Sequence, residues 1–262
     1  HLNDNLITEI PENSDGNDPV FPETLNLLNL SNNFIEKIPN SITKIKYLTE
    51  LNIENNKITH IPKLNYTLRY LRVSNNRISS IENQELNFLN EITLFNNELK
   101  TYPIQIKVFR NKLIRLDRNE IKEINFGNVP INRILTTLIT EVNISFNQIE
   151  IIPKEFFEKL PNLQTFSAFF NKITEIPSEI SNCQRLVNLN ISHNPIKKLP
   201  KLPKSLKKLT ASNCQIESID PETFSSNIRV IDLSGNNLQS FTSSSSIQIL
   251  NLSQNKFKIM PS

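Results

Sequence analysis

Tryptophan is absent from this 262-residue sequence, and it holds only three glycines, two cysteines and three histidines. Gly16, Gly127 and Gly235 stand too far apart to form a glycine-rich phosphate loop. No apolar run approaches the roughly 20 residues that a membrane-crossing helix needs. Neither sign of charge dominates: 29 basic residues are interspersed with 26 acidic ones, for a net +3. Global electrostatics therefore gives no case for nucleic acid as the partner. There is no CxxC or HExxH for zinc, and the DGND run from Asp15 to Asp18 lacks the length and ligands of a calcium loop. His193 lies beside Ser192 with no assigned acid to orient it. No metal or cofactor is expected, and the chain reads as non-enzymatic.

The two cysteines, Cys183 and Cys214, cannot staple the ends of the chain as cysteine clusters do in many secreted proteins. No signal peptide is visible from His1 onward. Because the chain starts at His1 without a methionine, a leader already removed stays open, and it is the cysteine usage that points to a reducing, cytoplasmic setting.

What the sequence does have is one text repeated. Leu48 to Pro62 reads LTELNIENNKITHIP, placing Leu48, Leu51 and Ile53 before Asn56, with Ile58 and Ile61 after it. Period-2 spacing puts Leu51 and Ile53 on one side of a strand. The chain must then bend at the asparagine so that the later isoleucines close over the same core. Bend asparagines recur at Asn5, Asn33, Asn56, Asn76, Asn97, Asn119, Asn147, Asn171, Asn194, Asn236 and Asn255, with Cys214 in the remaining slot. Successive steps run from 19 to 28 residues. This gives 12 repeats: a truncated one at 1–11 and insertions near 11–24 and 125–137. In the repeat ending at Asn119 the first apolar slot falls on Asn111, and the preceding 103–113 segment offers another register. Residues 1–262 are expected to form a single domain with a strand-lined face of roughly 50 Å, at about 4.8 Å per strand.

Each slot has a physical task. A buried bend asparagine can offer amide donors and an acceptor to main-chain groups of neighbouring turns. Without such partners, each buried backbone group costs about 1–3 kcal/mol. Cysteine, small and a weak donor, is a tolerated replacement, so both Cys214 and Cys183 read as structural. The return segments at 39–48, 153–163 and 177–186 have room for a short helical turn. Those at 62–68 and 200–206 are shorter and proline-bearing, and are expected to be extended.

The pattern L-x-x-L-x-L-x-x-N-x-I-x-x-I resembles the leucine-rich-repeat superfamily over the whole chain. The copies at 48–61 and 186–199 are similar to its intracellular class: Ras-suppressor-type scaffolds and the repeats of adenylate cyclases, Roco kinases and certain phosphatases. The copy at 199–219 is similar instead to the roughly 20-residue repeats of bacterial effectors. The resemblance implies an α/β fold: a right-handed solenoid, or horseshoe, with a concave parallel sheet. It also implies a non-enzymatic recognition module or scaffold in intracellular signalling, whose protein partner is a small GTPase or signalling enzyme. An extracellular adhesion or immune-type receptor ectodomain is the competing expectation. A third is the regulatory arm of a larger enzyme whose catalytic domain lies outside this chain. The mid-repeat start and the uncapped finish at Ser262 fit an arm of a longer protein.

Serine and asparagine are the default residues of the solvent-facing strand positions, so departures from them mark candidate contacts. Those departures are Arg69, Tyr70 and Arg72; Glu91 and Phe95; Arg115, Asp117 and Arg118; Glu141 and Phe146; and Phe169 and Phe170. Arginine and tyrosine dominate binding hot spots, and exposed phenylalanine signals a covering partner. A residue just before a bend asparagine can instead fold back on its own turn, which applies to Phe146 and Phe170. The lysines at 197, 198, 201, 204, 207 and 208 read as a solvated, edge-protecting surface rather than a headgroup site on the inner membrane. Asn29, Asn143, Asn190 and Asn251 open N-x-S sequons and Asn65 an N-x-T one. Glycans there would crowd the expected binding face, a further argument for the cytoplasm.

Overall fold

A computed structural model describes residues 1–11, 21–82, 89–103, 113–124, 139–242 and 246–260. Most of the two insertions expected near 11–24 and 125–137 lies outside these residues, as does Asn111. The chain divides into two compact units, 1–111 with 115–120, and 112–114 with 121–262.

The first unit contains a four-stranded parallel sheet of β1 (Leu27–Asn29), β2 (Glu50–Asn52), β4 (Tyr70–Arg72) and β6 (Glu91–Thr93), in that order. On another side of the same turns, β3 (His60–Ile61) pairs with β5 (Ser80–Ile81). The second sheet runs from β7 (Leu113–Arg115) through β8 (Glu141–Asn143), β9 (Thr165–Ser167), β10 (Asn188–Asn190), β11 (Lys208–Thr210) and β12 (Val230–Asp232) to β13 (Ile249–Asn251). Each described strand of the two main sheets is three residues long, and the pairings from β1 to β6 and from β8 to β13 are parallel. This is the parallel-sheet solenoid that the period implies. The strands number fewer than the 12 repeats read from the sequence because the first repeat, ending at Asn5, has a bend and no strand. The Asn119 register is the one adopted, with Leu116 and Asn119 buried.

The apolar slots build the core as their spacing requires. Leu51, Ile53, Ile58 and Ile61 are at most 1% exposed, and burying each such side chain is worth about 1.5–3 kcal/mol. The longer return segments carry a 3₁₀ turn at Asn40–Lys44, a single α turn (α1) at Lys154–Glu158 and a 3₁₀ turn at Ser178–Asn182. Pro39, Pro153 and Pro177 stand just before them, where a missing N–H costs nothing. Phe156 and Phe157 on α1 meet Phe166 of β9 at ring separations of 5.3 and 5.4 Å. The short segments at 62–68 and 200–206 have no helix.

The bends are held in two ways. First, the residue before each bend position adopts positive φ, between 51° and 66°, in all 12 repeats from Asp4 to Gln254. Asn32, Asn55, Asn75, Asn96 and Asn213 suit this left-handed conformation, and Gly235 has no Cβ to clash. Second, the bend asparagine clamps successive turns. Asn56 Oδ1 accepts the Ile35 N–H of the preceding turn at 2.9 Å, while its Nδ2 donates to Leu30 O of that turn at 3.0 Å and Ile53 O of its own at 3.3 Å. Asn33, Asn76, Asn97, Asn119, Asn194, Asn236 and Asn255 supply the same reach to a preceding-turn carbonyl. Cys214 cannot accept in this way. Its thiol donates weakly to Ile191 O, and the Ile196 N–H bonds Asn194 O instead. Replacing Asn56 with alanine leaves the Ile35 N–H unpaired, while Leu30 O and Ile53 O each lose one donor and keep Asn33 and Asn76. Asn56→Ala is expected to cost about 1–3 kcal/mol by urea unfolding, the cost of one buried group left unpaired.

Candidate binding face

Side chains that point away from the core sit at four positions per repeat, and parallel register stacks each position into a column. In the first unit one column contains Leu27, Glu50, Tyr70 and Glu91, and the next Asn29, Asn52, Arg72 and Thr93. Arg72 thus lies diagonal to two carboxylates and reaches both, with Nε 3.2 Å from Glu91 and Nη1 3.8 Å from Glu50. Its guanidinium also sits 5.8 Å from the Tyr70 ring centre. Glu54 accepts the Thr93 hydroxyl at 3.0 Å.

Arg115 is held from two directions. Its guanidinium lies 4.1 Å from the Phe95 ring centre, and Nε and Nη2 donate to the two oxygens of Asp117 at 3.2 Å each. The Asp117 side chain is 8% exposed, that of Arg115 40%. A cation fixed by a bidentate carboxylate and an aromatic face loses little freedom on binding.

Of the other expected contacts, Arg69 is turned away from the strand face. Arg69 precedes β4, and its Nη1 donates to the carbonyls of Tyr66 and Leu68, so it braces the return segment instead of facing out. Arg229 repeats that bond pattern with Ser226 and Ile228. Arg118 is a positive-φ residue, as are Phe146 and Phe170. Glu141 begins β8 and is exposed.

The second unit differs in character. Phe146 and Phe170 do not fold back on their own turns. Their rings stack at 4.9 Å and 7°, and Phe170 stacks in turn on His193 at 4.0 Å and 8°. Stacking at about 0.5–1.5 kcal/mol per pair offsets the roughly 1–2 kcal/mol that a left-handed backbone costs a non-glycine residue. Phe169 meets Phe146 edge-on at 71°. Phe170 remains 45% exposed.

Glu50, Glu54 and His193 were not among the expected contacts. Glu50 and Glu54 lie in the copy that best defines the repeat, where they pass for filler. Their position in the columns was the available signal. Of the lysines, Lys198 pairs with Asp220 at 3.0 Å and Lys201 with Glu222 at 3.4 Å, on side chains more than half exposed. Such pairs contribute little.

Comparison with known proteins now places the chain. Family models described as leucine rich repeat match residues 24–45, 137–196 and 204–257. Chicken (Gallus gallus) lumican is 30% identical over 262 residues, covering 91% of this chain and 72% of lumican. The chain belongs to the leucine-rich-repeat family. Bovine (Bos taurus) osteomodulin is 28% identical over 74% of the chain, and zebrafish (Danio rerio) keratocan 27% identical over 91%. The chain spans 47% of that osteomodulin and 59% of that keratocan. Among solved structures, the LRIM1/APL1C complex matches with a TM-score of 0.76 at 21% identity, over 97% of this chain and 52% of that one. YopM from Yersinia enterocolitica matches at 0.64 and 20%, over 99% and 60%. These two establish the fold alone.

As a leucine-rich-repeat protein with non-enzymatic relatives, the chain is a non-enzymatic protein-binding module. No helix among the described residues is long and apolar enough to cross a membrane. The expected cytoplasmic location is corrected: lumican, keratocan and osteomodulin are secreted proteins of the extracellular matrix. The intracellular subtype and the small-GTPase partner that followed from it lose their support.

The cysteine argument failed for a physical reason. Cys183 and Cys214 are buried free thiols completing a core made by stacked leucines and isoleucines, so their number carries no message about redox compartment. Burial pushes both thiols up to about 11. The unfolded chain gives up these protons near pH 9 and the folded chain holds them, so stability should fall between about pH 9 and 11. At pH 8 both native thiols should react with a thiol reagent only at the rate of unfolding, which stopped-flow labelling with and without urea measures.

Proposed function

We propose that this chain is an extracellular recognition protein that takes a protein partner on the strand face of its first unit. The observation that carries this reading is Arg115, half-exposed yet pinned by Phe95 and Asp117. Beside it in the same unit, Arg72 is braced by Glu50 and Glu91. Two ordered arginines framed by Tyr70 and Phe95 have the residue types and the preorganisation that concentrate binding energy. The carboxylates around them set the partner's charge pattern: acidic groups to meet each guanidinium, and basic or amide groups to meet Glu54 and Glu91. The matrix location of the relatives supports an extracellular partner.

The test is binding of the fluorescently labelled chain to matrix laid down by cultured cells. Arg72→Ala/Arg115→Ala should weaken binding at least about tenfold, since hot-spot truncations cost about 2 kcal/mol or more. Lys198→Ala/Lys201→Ala should leave it unchanged. Equal binding by the arginine variant, with its circular dichroism intact, would remove the first unit's face from the account.

A further inference from the structure

The second unit poses a question that partner binding through the first does not answer: why a phenylalanine stands in a slot where both adjacent turns carry serine. Phe169 occupies the slot that Ser145 fills on the preceding turn and Ser192 on the following one. Ser167 lies two residues before it on the same face between Asn143 and Asn190, and the charged residues of these strands, Glu141 and Lys208, stand in the column of Thr165, four residues before Phe169. Phe169 contacts Phe146 and Phe170 edge-on, at 71° and 65°, and neither ring is stacked on it.

Its other neighbours are two sequon asparagines. Asn143 and Asn190 both pair in register with Ser167, one from each adjacent strand. Phe169, two residues beyond Ser167 on the same face, is therefore diagonal to both, at about 7 Å. Asn143 Oδ1 accepts the Ser145 N–H at 3.1 Å and Asn190 Oδ1 the Ser192 N–H at 3.2 Å, which orients each amide and leaves each Nδ2 without a partner among the described residues. Asn29 and Asn251 orient their amides in the same way, accepting the Ser31 and Ser253 N–H groups, but no sequon besides Asn143 and Asn190 has both this amide and a diagonal phenylalanine. Asn65 commits its Nδ2 to the carbonyls of Thr43 and Ile45. Asn29 has Glu54 on its diagonal, and Asn251 has Ser234.

We propose that Asn143 and Asn190 carry N-linked glycans and that Phe169 is the platform against which a first sugar lies. The inference rests on the extracellular reading, because the modification belongs to the secretory pathway. In the attachment step Nδ2 attacks the anomeric carbon of a lipid-diphosphate-linked oligosaccharide. The N–C bond forms as the C–O bond to the diphosphate breaks. The lipid diphosphate leaves with the electron pair, and the amide nitrogen gives one proton to a base of the transferase. The attached N-acetylhexosamine is neutral, with an apolar ring face for Phe169 and hydroxyls for the surrounding amide and hydroxyl side chains. This sugar covers an aromatic surface that would otherwise face water.

The test expresses the whole chain behind a secretion leader in eukaryotic cells, and without glycan in bacteria. Glycopeptide mass spectrometry reads occupancy at each sequon. Urea midpoints then compare the secreted chain, trimmed to single sugars, with the bacterial chain, each as wild type and as Phe169→Ser, the residue that adjacent turns carry in that slot. Asn143 and Asn190 should be occupied, and the sugars should raise the wild-type midpoint by more than that of Phe169→Ser. Both asparagines unmodified in the secreted chain, or equal midpoint shifts in the two backgrounds, would overturn the proposal. Because the leader forces secretion, neither outcome bears on where the native protein resides. Recovery of the native protein from cytosol instead of medium would overturn the extracellular reading beneath it.

Discussion

The clamp made by the bend asparagine is the constraint on which the remaining structure depends. A three-residue strand makes too few ladder bonds to fix a turn by itself. The polar groups exposed by bending the chain so sharply must also be satisfied inside the core, where water cannot reach them. Asn171 meets both demands, accepting from Ile149 and donating to Ile144 O of the preceding turn and Ala168 O of its own. The exception at Cys214 makes the point from the other side. Where the acceptor is missing, the Ile196 N–H finds a carbonyl within its own turn. The two turns are then joined by strand pairing, the thiol's weak bond and backbone bonds such as that from the Gln215 N–H to Ile196 O at 3.0 Å.

Once turns are clamped at fixed register, the outward columns can vary without disturbing the core, and the two units use that freedom differently. The first builds interlocked charge: Arg72 between Glu50 and Glu91, and Arg115 between Phe95 and Asp117. The second replaces the left-handed asparagines with stacked rings at Phe146, Phe170 and His193, surrounded by hydroxyls and amides. The same backbone position that carries amide-to-amide bonds from Asn55 to Asn32 and from Asn96 to Asn75 carries aromatic stacking there. Either device compensates a strained φ by bonding along the column.

Much of the fold was legible in the sequence, because the repeat text specifies strand, bend and return separately. Asn56 with Leu51, Ile53, Ile58 and Ile61 was enough to place one turn, and recurrence placed the others. The binding face was less legible. Columns predict which residues are neighbours, but the reach of Arg72 to both Glu50 and Glu91 depends on which rotamer a long side chain adopts. Arg69 stands one residue before its strand, and that single step turned it from the face to the carbonyls of Tyr66 and Leu68. The location was misread for a different reason. Cysteine count reports on redox environment only when the fold needs cross-links, and a solenoid cored by stacked isoleucine and leucine does not. The sequons, set aside because glycans would crowd the face, turn out to flank Phe169.

Amide hydrogen exchange resolved to single residues tests the clamp most directly. The Ile58, Ile78, Ile149 and Ile173 N–H groups each bond a bend asparagine of the following turn. They should exchange only through cooperative opening of neighbouring turns, as slowly as the amides of Ile53 and Ile191, which bond the next strand at Arg72 O and Thr210 O. If instead those four amides exchange at loop rates while the Ile53 and Ile191 amides stay protected, the asparagines are spectators of the bend and the strand ladder alone holds the turns together.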